Sequence, residues 1–227
     1  MPESTTLPEL SAKQIAVRNC IFRGSAFLIG FLALLVCVCI YTPWLANITA
    51  SSTFKTIAIA LSLVSLIMAI IQSFKTLPRS LTRTWYVTFA VSTAMLLVFA
   101  AHHTKDRQTV FLALLTAAIL IASASLFGGN TSADLTYWAW PLSLCMSVLL
   151  LAWCVNVFLL QSDTFQTTLS LGIAAALTFA TIFHTQIFIR HTEFCTPHCC
   201  EDGVFHTFAN FIAISRHLMD SMDSLQS

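Results

Sequence analysis

Charged residues are scarce in this chain of 227 residues. Asp, Glu, Lys and Arg make up 9% of it and hydrophobic residues 57%, and the mean hydropathy is +0.80. A soluble domain of this length would have too little polar surface to cover its core. The composition therefore predicts a polytopic membrane protein whose main partner is the lipid bilayer. The net charge of +1, with no basic cluster, predicts no nucleic-acid partner.

The long apolar runs contain no carboxylate: all ten Asp and Glu residues of the chain lie outside them. Calcium prefers several hard oxygen ligands, usually including carboxylates, and proton relays in membranes typically use Asp, Glu or His. The sequence therefore argues against a carboxylate-based ion site inside the membrane.

Enzyme signatures are also missing: the chain has no H-E-x-x-H, H-x-x-x-H or G-x-S-x-G. We therefore expect neither enzymatic activity nor a cofactor, and an intramembrane zinc hydrolase built on scattered histidines is a distant alternative. The eight cysteines do not have the pattern of a disulfide framework. Four of them lie in apolar runs, where cysteine behaves as a small hydrophobe: Cys37, Cys39, Cys145 and Cys154.

Apolar runs divide the chain into spans. A bilayer core about 30 Å thick needs about 20 apolar residues to cross. The pattern predicts an all-α protein with seven transmembrane helices in one domain, 24–219, between a polar N-terminal tail, 1–23, and a short C-terminal tail, 220–227. The predicted spans are about 24–45, 57–74, 85–101, 109–127, 137–160, 169–189 and 204–219.

Lys and Arg on alternate sides of these spans predict the orientation. The side that holds the N-terminus carries seven of them and the opposite side four, which favours a cytosolic N-terminus. Two glycosylation sequons test this orientation, since Asn47 would then be luminal and Asn130 cytosolic.

The last two runs carry matching polar stripes. An unpaired polar group in hydrocarbon costs several kcal/mol, so the final, polar helix is expected to be enclosed by the other six. His184 and Asn210 lie at similar depth on antiparallel helices and are expected to face each other. The stripes are Ser170, Ala174, Thr178, Thr181 and Thr185 on one helix, and Gly203, His206, Asn210, Ala213 and His217 on the other.

These stripes give the candidate polar core or gate: His184, Gln186, Asn210 and Arg216. His184 is interpreted either as a pH-responsive gate or as a neutral histidine that hydrogen-bonds across helices. Arg216 either lines the core or extends from the last turn to the membrane surface.

The connection before the final helix is rich in Cys and His. Cys199 and Cys200 are candidates for lipidation. Metal binding is a second alternative, although the spacing lacks a paired C-x-x-C, and unmodified thiols are a third. His191, Cys195, His198 and His206 complete the cluster.

Five segments resemble the Bax-inhibitor and lifeguard superfamily. The segments 183–186, 208–212 and 215–219 resemble its end, where the sixth helix closes on Asp-Thr-Gln and the seventh carries a second aspartate in an apolar run. The segment 17–23 is similar to the basic entry to the first helix of the lifeguard branch, and 131–136 to the stretch before its fifth helix. The likeness follows the chain in order from about residue 15 to 220.

The resemblance implies six helices around a central seventh in the endoplasmic reticulum, Golgi or plasma membrane, with links to calcium leak and protection from apoptosis. The two family aspartates form a pH-sensing pair, and His184 and Asn210 stand at the matching positions. Such divergence is similar to that of the seven-span relatives encoded by cytomegaloviruses, some of which remove immune ligands from the cell surface.

Two functions therefore stay open. One is a cytoprotective modulator of store calcium and apoptosis. The other is a non-conducting protein that binds other membrane proteins and diverts their trafficking, as in viral evasion of host immunity.

Overall fold

The computed structural model describes residues 10–74, 78–104, 106–190 and 199–225, and every regular element in these ranges is helical. This confirms the all-α prediction. A 3-10 turn, Thr136–Trp138, and a π-helical turn, Asn156–Leu160, flank the sixth helix. The helices are α1 Ala12–Tyr41, α2 Pro43–Thr49, α3 Ser52–Phe74, α4 Arg79–His103, α5 Arg107–Asn130, α6 Ala139–Val155, α7 Asp163–Arg190 and α8 Cys199–Leu225.

Five stretches of the described chain are helical, long and apolar enough to cross a membrane: α1, α4, α5, the α6 region and α7. The pair α2 and α3, bent by 55°, makes a sixth if it counts as one span. The helix α8 is not among them, because its polar stripe and its acidic residues lower its hydropathy. All seven predicted runs fall on helices, but length and composition support only five or six crossings.

The first and last helices extend beyond the predicted spans. α1 begins at Ala12, inside the predicted tail, and α8 continues to Leu225. At 1.5 Å per residue, the 30 residues of α1 measure about 45 Å, more than the bilayer core of about 30 Å. The polar residues at its start therefore lie in a helix that projects from the membrane.

Residue contacts group the chain into two compact units, and the first consists of residues 31–111. Within it, α3 and α4 pack as a helical hairpin. The indole Nε1 of Trp85 donates to the backbone oxygen of Ser65 at 3.0 Å. The Thr49 hydroxyl lies 2.5 Å from His102 Nε2. These bonds join polar groups of different helices. Such pairing is expected where water is excluded, because the polar groups have no water to bond.

The second unit consists of residues 1–30 and 112–227 and contains every candidate site residue. Its α6–α7 connection is fixed by Asn156, which is buried. The Asn156 amide donates to the Gln166 side chain at 2.9 Å, and its oxygen accepts from the Ser162 backbone N–H at 3.1 Å. Gln161 adopts the left-handed conformation, φ 49°, which lets the chain reverse direction between the helices.

Candidate functional site: a polar seam between α7 and α8

The helices α7 and α8 pack against each other along the two predicted polar stripes, which we call the polar seam. The Asn210 amide on α8 donates to the Thr181 hydroxyl on α7 at 2.9 Å. Further along, His217 Nδ1 lies 3.5 Å from the Ser170 hydroxyl. As the residue number rises on one helix it falls on the other, so the helices are antiparallel and the stripes face each other.

His184 has a different partner from the one expected. Its ring lies 5.1 Å from the ring of His206, centre to centre, and Phe188 lies 5.4 Å from the same His206 ring. The predicted contact between His184 and Asn210 is wrong, because Asn210 bonds Thr181, about one turn away from His184 on α7. His184 Nδ1 is buried, with no hydrogen-bond partner in the described part of the chain.

Gln186 is not part of the seam but fixes the connection between α5 and α6. Its side chain is 1% exposed. The amide nitrogen donates to the backbone oxygen of Ala133, and the amide oxygen accepts from the backbone N–H of Leu135 at 2.9 Å. Gln186 therefore satisfies two backbone groups of the α5–α6 connection.

Three neighbouring side chains extend this network and were missed by the sequence analysis. Arg190 donates to the backbone oxygen of Thr131 at 3.0 Å. Gln14 donates to the backbone oxygen of Arg190 at 2.9 Å. Arg18 donates to the side-chain oxygen of Asn130 at 2.8 Å. The sequence contained one indirect signal for these contacts, since the segments around residues 18, 131–136 and 186 all carry the family resemblance. The structure brings these segments together.

Arg216 lies outside the polar core. Its side chain is 48% exposed and pairs with Asp220, one turn later on α8, at 3.0 Å. The interpretation of Arg216 as a lining residue is therefore wrong in this structure, whereas the alternative of a side chain directed to the surface agrees with it. A partly exposed pair of this spacing adds little stability.

The Cys-rich connection is used differently from the expectation. Cys200 forms a disulfide with Cys20 on α1, with Cα atoms 5.9 Å apart, and Cys199 is buried. Lipidation needs an accessible free thiol, so this structure does not support it at either residue. His191, Cys195 and His198 lie outside the described residues. Within the described residues, no group of three or more His, Cys, Asp or Glu could hold a metal ion.

Residues 20–24 of α1 and the start of α8 approach closely beside this disulfide. A Cβ atom added to Gly203 would lie 2.5 Å from Ile21, and one added to Gly24 would lie 2.6 Å from Val204. Small residues let helix backbones approach in this way in membranes. The disulfide therefore joins helices that are already packed.

The seam is thus lined by polar side chains without a carboxylate. An amide, two hydroxyls and three imidazoles line it: Asn210, Ser170, Thr181, His184, His206 and His217. It has no pair of carboxylates that could share a proton. Its chemistry suits holding two helices together and admitting a polar group between them.

Comparison with known families matches a large part of the chain to one family. Residues 22–225 match the family described as "Inhibitor of apoptosis-promoting Bax1". The match includes both helices of the seam and the segments that carry the resemblance. Comparison with curated proteins gives no match.

Proposed function

Because the chain belongs to the Bax-inhibitor family, an integral membrane family, we propose that it is a cytoprotective modulator of store calcium and apoptosis. The match over residues 22–225 carries this proposal. The apolar helices support residence in a membrane, and we propose an endomembrane (endoplasmic reticulum or Golgi) or the plasma membrane as its location. The lipid bilayer is its first partner.

In this proposal α8 is the seventh span, enclosed by the other six. Its burial supports this: among residues 199–225, only Arg216 and Leu225 are exposed. A helix lying on the membrane surface would expose one side to water. Enclosure would also explain why α8 can carry a polar stripe without facing lipid.

The proposed calcium function does not use the family's pair of aspartates. His184 and Asn210 occupy the matching positions, and Asn210 donates to Thr181 at 2.9 Å. A neutral amide–hydroxyl bond does not titrate in the physiological range. We therefore assign control of the leak path to separation of α7 from α8, without proton sharing between carboxylates.

We propose a cytosolic N-terminus, which the Lys and Arg counts favour. Cys20 and Cys200 then face a reducing compartment, where disulfides are rare. Their bond would form only under oxidising conditions. In the opposite orientation the bond would be permanent.

Luminal calcium measured in cells tests this function. Expression of the wild type should lower resting luminal calcium relative to untransfected cells. The double variant His184→Ala, Asn210→Ala should abolish that decrease, because it removes the seam's amide and one imidazole. Ser147→Ala on α6 is the control, since its hydroxyl is exposed and bonds the Ser143 backbone oxygen of its own helix. Unchanged calcium with every variant and with the wild type would refute the proposal.

The second candidate is a non-conducting protein that diverts other membrane proteins, in the manner of viral immune evasion. The exposure of α6 favours it. In the span Thr136–Val155, none of the residues in the most apolar 18-residue stretch is buried. A helix of another protein therefore has room to pack there. Surface proteomics with and without expression distinguishes the candidates. Loss of specific surface proteins with unaltered store calcium would favour this one, and an unchanged surface profile would count against it.

A further inference from the structure

The disulfide between Cys20 and Cys200 joins α1 to α8 across 180 residues of the sequence. Cys200 is the second residue of α8, so the bond holds the start of that helix against α1. The seam residue Asn210 lies about 15 Å further along the same helix. The bond therefore anchors the helix that carries one side of the polar seam.

The bond lies at the membrane surface and not in the hydrocarbon. The apolar run of α1 begins only at Gly24, and charged or polar residues flank both cysteines: Arg18, Asn19 and Arg23 on α1, and Glu201 and Asp202 on α8. Such side chains are costly in a bilayer core, so this part of the two helices lies in water or among lipid headgroups. Water-soluble thiols and disulfides can therefore reach the bond.

The two sulfurs differ in access. Cys20 is exposed, whereas Cys200 is half-buried. Thiol–disulfide exchange begins when a thiolate attacks one sulfur of the bond, and its rate depends on access to that sulfur. Exposed disulfides are the labile or regulatory ones, whereas structural disulfides resist reduction by glutathione. The exposure of Cys20 therefore places this bond in the exchangeable class.

The helix packing beside the bond would keep the two thiols together after reduction. Gly203 leaves room for Ile21, which is fully buried, and Gly24 leaves room for Val204. These contacts do not depend on the bond, and they set the two Cα atoms 5.9 Å apart, within the usual range for a disulfide. Groups held at this distance react as an intramolecular pair. The bond can therefore form again after it has been reduced.

We propose that Cys20 and Cys200 are a redox switch: glutathione, a low-molecular-weight thiol, opens the bond between α1 and α8, and glutathione disulfide closes it. The open form is the resting form in the cytosol, where glutathione keeps thiols reduced. The closed form accumulates when the ratio of glutathione disulfide to glutathione rises. This inference rests on the cytosolic N-terminus of the proposed function, to which it adds control over the freedom of α8.

Opening takes two exchange steps. A glutathione thiolate attacks the exposed Sγ of Cys20, the bond between the two protein sulfurs breaks, and Cys200 leaves as a thiolate that takes a proton from water. A second glutathione thiolate attacks the glutathione sulfur of the mixed disulfide and releases the Cys20 thiolate, which is protonated in turn. Two glutathione thiols are oxidised to one glutathione disulfide, and the protein disulfide is reduced to two thiols. Closing is the reverse sequence.

A redox titration of the full chain tests the switch. The purified protein in phosphatidylcholine vesicles is equilibrated in glutathione buffers of increasing oxidised fraction, quenched with acid and alkylated. Mass spectrometry then measures the peptide in which Cys20 and Cys200 are linked. We expect the linked fraction to rise from about a tenth or less at the poise of the cytosol to about nine tenths or more in strongly oxidising buffer. A bond that stays linked at the cytosolic poise is structural, and one that never forms is absent; either result would overturn the proposal.

Hydrogen exchange at the start of α8 tests what the bond does. Amides of residues 203–207 should exchange about tenfold faster in the reduced wild type than in the oxidised one, because the constraint to α1 is lost. Cys20→Ala should give the fast rate in both buffers. Cys145→Ala is the matched control, since Cys145 is an exposed free cysteine on α6, and it should behave as the wild type in both.

Equal exchange in the oxidised and reduced wild type would overturn the proposed control over α8. If Cys20→Ala does not fold, the comparison of the two wild-type forms still decides. Neither measurement depends on calcium or on topology. Failure of the switch is therefore distinguishable from failure of the proposed function.

Discussion

Gly128→Ala should destabilise the protein by about 2–3 kcal/mol, the upper range for overpacking in a filled interior. A Cβ atom at this position of α5 would collide with the backbone oxygen of Ile182 on α7. Because the obstacle is backbone, a rotamer change cannot relieve it, and the helices must separate. Thermal unfolding of the purified protein in detergent would measure the loss, and the yield of folded protein should fall with it.

Gly30→Ala is the control for this substitution. It makes the same change within a helix, but its Cβ atom would meet nothing within 4 Å. The gain in helix propensity should leave stability unchanged or raise it by up to about 1 kcal/mol. Equal stability of Gly128→Ala and Gly30→Ala would contradict the close approach of α5 and α7.

Gln186→Leu should cost about 2–3 kcal/mol, because it removes two hydrogen bonds from a side chain that is 1% exposed. The side-chain volume is nearly conserved, so packing contributes little to the loss. The backbone groups of Ala133 and Leu135 lose their partner. Thermal unfolding should show the lower stability, and hydrogen exchange of the Leu135 amide should accelerate.

Gln108→Leu provides the comparison, since Gln108 is exposed near the start of α5. A surface change of this kind is expected within about 0.5 kcal/mol of the wild type. If Gln186→Leu leaves the Leu135 amide exchanging at the wild-type rate, Gln186 does not hold the α5–α6 connection.

Periodicity was sufficient to predict the helices and the facing stripes of α7 and α8. The spacing of three and four places small and polar residues on one side of each helix, and burial of those sides brings them together. The stripes do not determine the offset between the helices along their axes. Equal depth suggested His184 opposite Asn210, whereas side-chain packing places Thr181 there. An offset of about one turn depends on how the individual side chains pack, and the spacing of residues in the sequence does not contain this information.

The bonds at one end of the second unit could not be predicted in the same way. The disulfide joins Cys20 and Cys200, which are 180 residues apart, and no local pattern relates them. Arg18 and Arg190 read as ordinary flanking charges in the sequence, yet they bond Asn130 and Thr131. Such contacts depend on the tertiary arrangement, and only the family resemblance suggested that these segments meet.

These observations have one functional consequence. The family membership indicates a membrane protein of Bax-inhibitor type. Where the resemblance implies a titratable pair, the chain has an amide bonded to a hydroxyl, and two neighbouring imidazoles whose rings are tilted by 45° to each other. A store-calcium function in this protein therefore depends on the packing of α7 against α8.

The most direct test of this account is the topology of the two termini. Epitope tags at the N- and C-terminus are probed after selective permeabilisation of the plasma membrane and then of all membranes. Seven spans with α8 enclosed predict an N-terminal tag accessible from the cytosol and a C-terminal tag that becomes accessible only after every membrane is opened. Both tags on the same side would contradict the enclosed seventh helix.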